Sequence, residues 1–270
     1  MNEFDGFDDG DDFDTDDQYS TEEEPKKINK RKWKDGEKKA KKEKECAKIV
    51  KSDLKYENKE LIDKTDDIAQ QILNKSWRNK HRDHFFPQLI NDLNLKTGVE
   101  IGVDKGEFSV QILEKSNIEK YYCVDNWMDD FGSNHKKGYY DKDGNVRYNE
   151  AKANLQKYID VNRAIMLRMT SVEAAKKFED NSLDYVYIDG DHSLEGITFD
   201  IYSWMPKLRI GGVCGMHDYK DGPRSGINGY FGKQLDYKVK TVVDYYCERY
   251  GHKLNPVGGR IMSCWFVKNR

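Results

Sequence analysis

Two short runs in the last third of the chain gather groups that can hold or move a proton. Asp189-Gly190-Asp191-His192 follows the apolar run 183–188, and His217-Asp218 follows the apolar run 213–216. Carboxylates and imidazoles act as general acids and bases near neutral pH, and they also ligate divalent cations. A third group stands earlier, where Glu100, Gly102, Asp104 and Gly106 form a loop after the apolar run from Thr97. Glycines there let the backbone approach a small molecule, and a helix beginning after them offers free N–H groups. The loop does not fit the dinucleotide fingerprint G-x-G-x-x-G, because Asp104 stands where the second glycine belongs. Its carboxylate suits a cationic or hydroxyl-bearing ligand better than a pyrophosphate. Asp125 ends the next apolar run, about 20 residues on, where a carboxylate can accept hydrogen bonds from ribose hydroxyls.

Each of these groups sits at the carboxyl end of a predicted strand. Runs at 97–103, 121–124, 164–167, 183–188 and 213–216 read as strands. Helices are predicted from Phe108 to Leu113, over 151–158 and 172–178, and around Phe199, Ile201, Tyr202 and Trp204. Ser193 is a candidate cap for the last of these, Pro206 marks its end, and Gly211-Gly212 a turn. This alternation predicts a mostly parallel sheet covered on both faces, with its strand tips on one edge. The chain closes with a glycine-rich loop at 221–232, a helix at 240–250, and a strand at 261–267 paired with 253–257. Two helices precede the first strand. One carries Leu61, Ile62, Ile68, Ile72 and Leu73; the other carries Phe85, Phe86, Leu89, Ile90 and Leu93. Both are expected to cover the sheet, with Trp77, Arg78, Arg82 and His84 between or near them. Residues 129–148 are polar and read as an insertion or lid.

The 270 residues are 37% hydrophobic and 35% charged, with a net charge of −3, which suits one large domain plus appendages. Residues 1–24 hold twelve Asp and Glu and no Lys or Arg, interleaved with Phe4, Phe7, Phe13 and Tyr19. Such a tail cannot bury enough surface to offset its ordering entropy and is predicted to be disordered. Residues 25–58 read as a basic, partly helical linker, and 59–270 as the folded domain. The basic stretch 26–51 either meets the acidic tail or contacts nucleic acid. Five scattered cysteines without metal-ligand spacing read as reduced core residues, which points to a cytoplasmic setting. No apolar run approaches membrane-spanning length, and the acidic N-terminus is no secretory signal.

The pattern Glu100-x-Gly102-x-x-x-Gly106, with Asp125 and Ser171, resembles the successive S-adenosylmethionine motifs of class I methyltransferases. The stretch 187–219, YIDGDHSLEGITFDIYSWMPKLRIGGVCGMHDY, is similar to that of a group including small-molecule and sugar O-methyltransferases. The resemblance spans roughly residues 78–267. It implies a Rossmann-like, seven-stranded sheet preceded by the disordered charged extension. It also implies roles: Gly102 and Gly106 line the methionine end of S-adenosylmethionine, and Glu100 orders the loop. Asp125 takes the ribose, Asn126 and Trp127 flank the adenosine, and Thr170 and Ser171 sit near the adenine. Asp189 faces the cofactor's amino group or a metal. Asp191 and His192 are candidate general bases. Asp189, His217 and Asp218 are candidate ligands for Mg²⁺ or Mn²⁺, with His217 favouring Mn²⁺.

The implied acceptor is a hydroxyl on a small molecule or glycan. Two alternatives stay open. One is an RNA 2′-hydroxyl methyltransferase tethered by 26–51; the other is a non-catalytic binding module with the same fold. Adenine and cytosine-C5 methylation are disfavoured, since neither an N-P-P-Y loop nor a Pro-Cys nucleophile is present.

Overall fold

The computed structural model describes residues 59–76, 81–128, 145–228, 234–258 and 262–270. The predicted tail, the linker and most of the 129–148 insertion lie outside the described residues. Helices α1 (Lys59–Lys75) and α2 (Arg82–Asp92) precede strand β1 (Thr97–Ile101). There follow α3 (Glu107–Lys115), β2 (Lys120–Asp125), α4 (Asn145–Ile159), β3 (Ala164–Arg168) and α5 (Ser171–Ala175). Then come β4 (Leu183–Ile188), α6 (Leu194–Trp204), β5 (Leu208–Met216), β6 (Asp221–Asn228) and β7 (Gln234–Lys238). The chain closes with α7 (Val239–Tyr250), β8 (Asn255–Gly258) and β9 (Met262–Val267).

Seven strands form one sheet in the order β3-β2-β1-β4-β5-β9-β8. The first five are parallel, and β9 and β8 complete the sheet antiparallel to their neighbours. This is the expected α/β architecture. Alternate residues of each strand feed two cores. Tyr185 and Tyr187 of β4 pack with Phe86, Leu89 and Ile112 of the helices on one face. Val186 and Ile188 pack with Ile197, Ile201, Trp204 and Val243 on the other. A strand buried on both faces needs no polar alternation, which is why β4 reads as one apolar run. Helices α1 and α2 do cover the sheet, through Ile72, Phe85 and Phe86.

Two local expectations differ from the structure, and a third element, α6, forms as predicted. The predicted loop at 221–232 is largely strand, since β6 pairs antiparallel with β7. Its glycines and proline read as loop, but the register shifts between Pro223 and Asn228, and an irregular two-stranded ladder tolerates both residue types. Strand β5 starts at Leu208, so Gly211-Gly212 lies inside it and not in a turn. The backbone passes too close there for a side chain: a Cβ on Gly212 would lie 2.5 Å from Leu208 and 2.9 Å from the Asp184 carbonyl. In α6 the apolar residues that suggested the helix face both ways. Ile201 and Trp204 are buried, whereas Phe199 and Tyr202 are exposed.

Cys123, Cys214, Cys247 and Cys264 are buried free thiols, as expected for core residues. Among the described residues no helix is long and apolar enough to cross a membrane.

Candidate active site

The strand order reverses between β1 and β4, and open α/β sheets bind ligands in the crevice at that point. The two strands leave the sheet in register, with Ile101 beside Ile188. The Asp189 amide then donates to the Ile101 carbonyl at 2.7 Å. Gly102 has φ +86°, and a Cβ on it would lie 2.2 Å from the Asp189 carbonyl oxygen. Glycine is required at this contact because the two chain segments touch backbone to backbone.

Asp125 shapes the loop that follows. Its Oδ2 accepts the amides of Val103 at 2.9 Å and Asp104 at 3.0 Å. Its Oδ1 accepts the Trp127 amide at 2.7 Å. Burial pushes the Asp125 carboxyl up, while these amides pull it down. Trp127 is buried, donates from Nε1 to the Asp104 carbonyl at 2.7 Å, and meets Tyr148 edge-on. Asn126 accepts the Met128 amide. The Asp104 side chain pairs with Arg147, which α4 supplies. Gly106 caps α3 with φ +76° and no side-chain hydrogen bond. Gly106 thus gives the first-turn N–H groups of α3 no side-chain partner, and a helix terminus of this kind favours an anion.

Glu100 lies beneath the loop, fully buried, accepting from Ser109 at 2.6 Å and Tyr121 at 3.2 Å. Burial pushes its carboxyl from 4.5 up to about 8, against the pull of the Ser109 hydroxyl. The fold therefore holds this proton more tightly than the unfolded chain does. Stability is complete below the unfolded value and falls as pH rises through the folded one. Glu100→Gln should flatten the decline in urea midpoint between about pH 5 and 8. An unchanged slope would show that Glu100 is ionised in the fold or that other groups set the decline.

The acidic tip brings three predicted residues together. Ligand atoms of Asp189, His192 and His217 all lie within 4.8 Å of one another. His217 Nδ1 is 3.0 Å from Asp189 Oδ1, and His192 Nε2 is 3.3 Å from the same oxygen. The second approach is too poorly aligned for a hydrogen bond, so His192 Nε2 is buried without one. The His192 ring packs on Tyr237 of β7, and its carbonyl accepts the Lys238 amide at 2.9 Å. Burial alone would raise the Asp189 carboxyl. The two imidazoles and the Arg82 guanidinium outweigh it and hold the group well below the carboxylate range.

The remaining predicted residues sit around this cluster. Asp191 accepts the Ser193 amide at 2.9 Å and the Ser193 hydroxyl at 2.7 Å, while Ser193 caps α6. Asp218 has φ +48°, with Oδ2 3.8 Å from His217 Nδ1 and Oδ1 3.5 Å from Lys220. Thr170 and Glu173 form a capping box on α5. Ser171 Oγ accepts from Trp204 Nε1 at 2.9 Å.

Two neighbours of the cluster were given no role in the sequence reading. Arg82, the first residue of α2, places Nη1 2.6 Å from Asp189 Oδ2 and 3.3 Å from the Tyr187 hydroxyl. Asp200 of α6 is buried beneath Gly190, where an added Cβ would meet its Oδ2 at 3.1 Å. Burial pushes Asp200 up to about 7, against a hydrogen bond from Ser171. A charge amid the buried Ile197, Ile201 and Trp204 was the signal that could have found Asp200. Arg82 gave none, because its partner stands 107 residues away.

Residues 99–219 match the family model described as a methyltransferase domain. The uncharacterized protein y4gI of Sinorhizobium fredii (strain NBRC 101917 / NGR234) is 30% identical over 134 residues. That alignment covers 48% of this chain and 14% of the relative, so the chain spans a small part of the relative's length. A Staphylococcus aureus crystal structure, proposed to be a caffeoyl-CoA O-methyltransferase, aligns with a TM-score of 0.51 at 17% identity. It covers 68% of this chain and 82% of that one, and it shows a shared fold. A Corynebacterium glutamicum protein aligns at 17% identity over 74% of this chain and 89% of its own, with a TM-score of 0.48. Strand order, glycine loop and family match together liken residues 99–219, a little under half of the chain, to a methyltransferase domain.

Proposed function

We propose that the chain methylates a hydroxyl of a small molecule or glycan, with His192 and His217 taking the proton that the hydroxyl loses. The observation that carries this reading is the Asp189–His192–His217 cluster, set on the sheet edge beside the glycine loop. S-adenosylmethionine, when bound, supplies a methyl group already activated on a sulfonium. The protein's work is then to align donor and acceptor and to remove one proton. His217 Nδ1 faces the Asp189 carboxylate at 3.0 Å, which orients the ring beside the loop. Asp191 stays bound to Ser193 and sets the loop that carries His192.

Asp125 is the ribose ligand in this reading, with Asn126 and Trp127 beside the adenosine and Thr170 and Ser171 near the adenine. Asp125→Ala should weaken cofactor binding by about 1.5–3 kcal/mol through loss of charge-assisted hydrogen bonds. Part of that loss arises from releasing the Val103 and Asp104 amides. Calorimetric titration with S-adenosylhomocysteine reads it, and equal affinities in mutant and wild type would remove Asp125 from the site.

A second reading adds a metal, and the buried Nε2 of His192 favours it. Asp189 Oδ1, His192 Nε2 and His217 Nδ1 are the atoms that would hold the ion. Two imidazoles and one carboxylate suit Mn²⁺ or a similar transition ion better than Mg²⁺. Such an ion lowers the pKa of a hydroxyl bound to it. In this version chelation removes activity and Mn²⁺ restores it. Activity indifferent to chelation leaves the imidazoles as the proton acceptors.

The test of function itself is transfer of label from methyl-labelled S-adenosylmethionine to lysate split into small molecules, glycan, protein and nucleic acid. Label is expected in the first two fractions. Label confined to RNA would replace this reading with the tethered nucleic-acid enzyme.

A further inference from the structure

His192 stands 3.3 Å from Asp189 without the alignment that a hydrogen bond needs, and its buried Nε2 has no hydrogen-bond partner among the described residues. Burying an unpaired polar atom opposes this position, so packing has to hold the ring in it. We propose that Tyr237 is the positioning residue that clamps the His192 ring against Asp189. The inference rests on the reading of His192 as a proton acceptor.

The contacts around Tyr237 carry it. The two rings meet with centroids 5.1 Å apart and planes at 43°. Tyr237 comes from outside the main sheet, since β6 and β7 form a two-stranded ribbon of their own. The next residue holds the backbone of the same histidine, because the Lys238 amide donates to the His192 carbonyl at 2.9 Å. Ring and main chain of His192 are thus gripped by consecutive residues of β7. Tyr237 is itself braced. The Lys220 ammonium lies 4.4 Å from its ring centre and 3.5 Å from Asp218 Oδ1, and the Lys220 amide donates to the Asp218 carbonyl at 2.6 Å. Lys220, Tyr237 and His192 therefore run as a chain of contacts between the tips of β5 and β4, with Asp218 at one end and Asp189 at the other. Without the tyrosine ring, rotation about the two side-chain bonds of His192 carries Nε2 away from the cluster. A proton acceptor works only within hydrogen-bond reach of the hydroxyl it serves, so a ring held in one rotamer favours transfer. Tyr237 lies outside the matched residues 99–219, and the domain match does not supply this role.

The full chain tests this in two ways. In wild type, nuclear Overhauser contacts are expected between the Tyr237 ring and the His192 imidazole protons, the latter identified by their loss in His192→Gln. Their absence would overturn the proposal without any rate measurement. Rates are read as transfer of label from methyl-labelled S-adenosylmethionine to the small-molecule and glycan fractions of lysate. Tyr237→Leu should slow transfer by about 30-fold or more, while its affinity for S-adenosylhomocysteine stays within about 2-fold of wild type. Tyr237→Phe keeps the ring and should restore the rate to within about 3-fold of wild type. In a His192→Gln background, Tyr237→Leu should cost nothing further, because the tyrosine acts through the histidine. A full additional loss in the double variant would overturn the proposal, as would a matching loss of S-adenosylhomocysteine affinity in Tyr237→Leu, which would mark a merely structural residue. If His192→Gln is slow and Tyr237→Leu is as fast as wild type, the inference alone fails. If His192→Gln is as fast as wild type, or wild type labels neither fraction, the reading of His192 fails and the inference fails with it.

Discussion

Gly102→Val should abolish cofactor binding and destabilise the domain by more than about 4 kcal/mol, placing it among the most damaging single changes. A Cβ at this position meets the Asp189 carbonyl oxygen at 2.2 Å, its carbon at 2.5 Å and the Gly190 amide at 2.6 Å. All three are backbone atoms, so no side chain can swing away, and either β1 or β4 must shift. The backbone conformation adds to this, because φ +86° strains any L-residue by about 1–2 kcal/mol. Alanine carries the same Cβ, so Gly102→Ala should lose most of the same stability. Gly251 provides the comparison. It has φ +67° at the end of α7, and an added Cβ there meets nothing within 4 Å. Gly251→Ala should therefore cost about 1 kcal/mol, the conformational part alone. Urea unfolding of the two alanine variants separates contact from conformation. Similar midpoints would mean that the loop and the β4 tip do not touch.

The strands were legible because their runs are apolar and short, and the alternation with helices fixed which ends share an edge. That placed Gly102, Asp125, Asp189 and His217 on one rim before any coordinates. Side-chain direction was not legible. Asp191 and His192 are neighbours in sequence, yet one turns to Ser193 and the other to Asp189. Asp125 and Asp189 both end strands. One is spent on three amides and the other on an arginine and two imidazoles. Those differences follow from packing against α2 and from φ values in the tight turns, which a linear pattern does not encode. Arg82 shows the limit most clearly, since α2 delivers it across 107 residues to a partner that no local spacing could name. Tyr237 fell between the predicted loop at 221–232 and the helix at 240–250, and its strand pairs with the irregular β6.

Asp189→Ala should abolish methyl transfer and cost about 3–5 kcal/mol of stability at neutral pH. The carboxylate is the common partner of Arg82, His192 and His217, and its removal leaves a partly buried guanidinium with only the more distant Asp83 carboxylate, 3.6 Å from Nε. Burial would raise this carboxyl, but the imidazoles and the guanidinium hold it well below its ordinary value of 3.8. A lowered folded pKa stabilises the fold at every pH above the unfolded value, and the contribution fades as pH falls through the folded one. Wild type should therefore lose its advantage over Asp189→Asn in acid, below about pH 4, and keep it in full at neutral pH. A double-mutant cycle isolates the ion pair. With Asp189 gone, Arg82→Met should remove a burdened charge, so the double variant should be more stable than the sum of the single losses by about 2 kcal/mol. Additivity within about 0.5 kcal/mol would show that Arg82 and Asp189 do not interact in solution. Asp189→Asn discriminates further: it preserves the shape and one acceptor oxygen for Arg82, so it should recover part of the stability. It cannot anchor an imidazole as a charged partner does, so transfer should stay lost. Full activity in Asp189→Asn would place the proton acceptor elsewhere on the sheet edge.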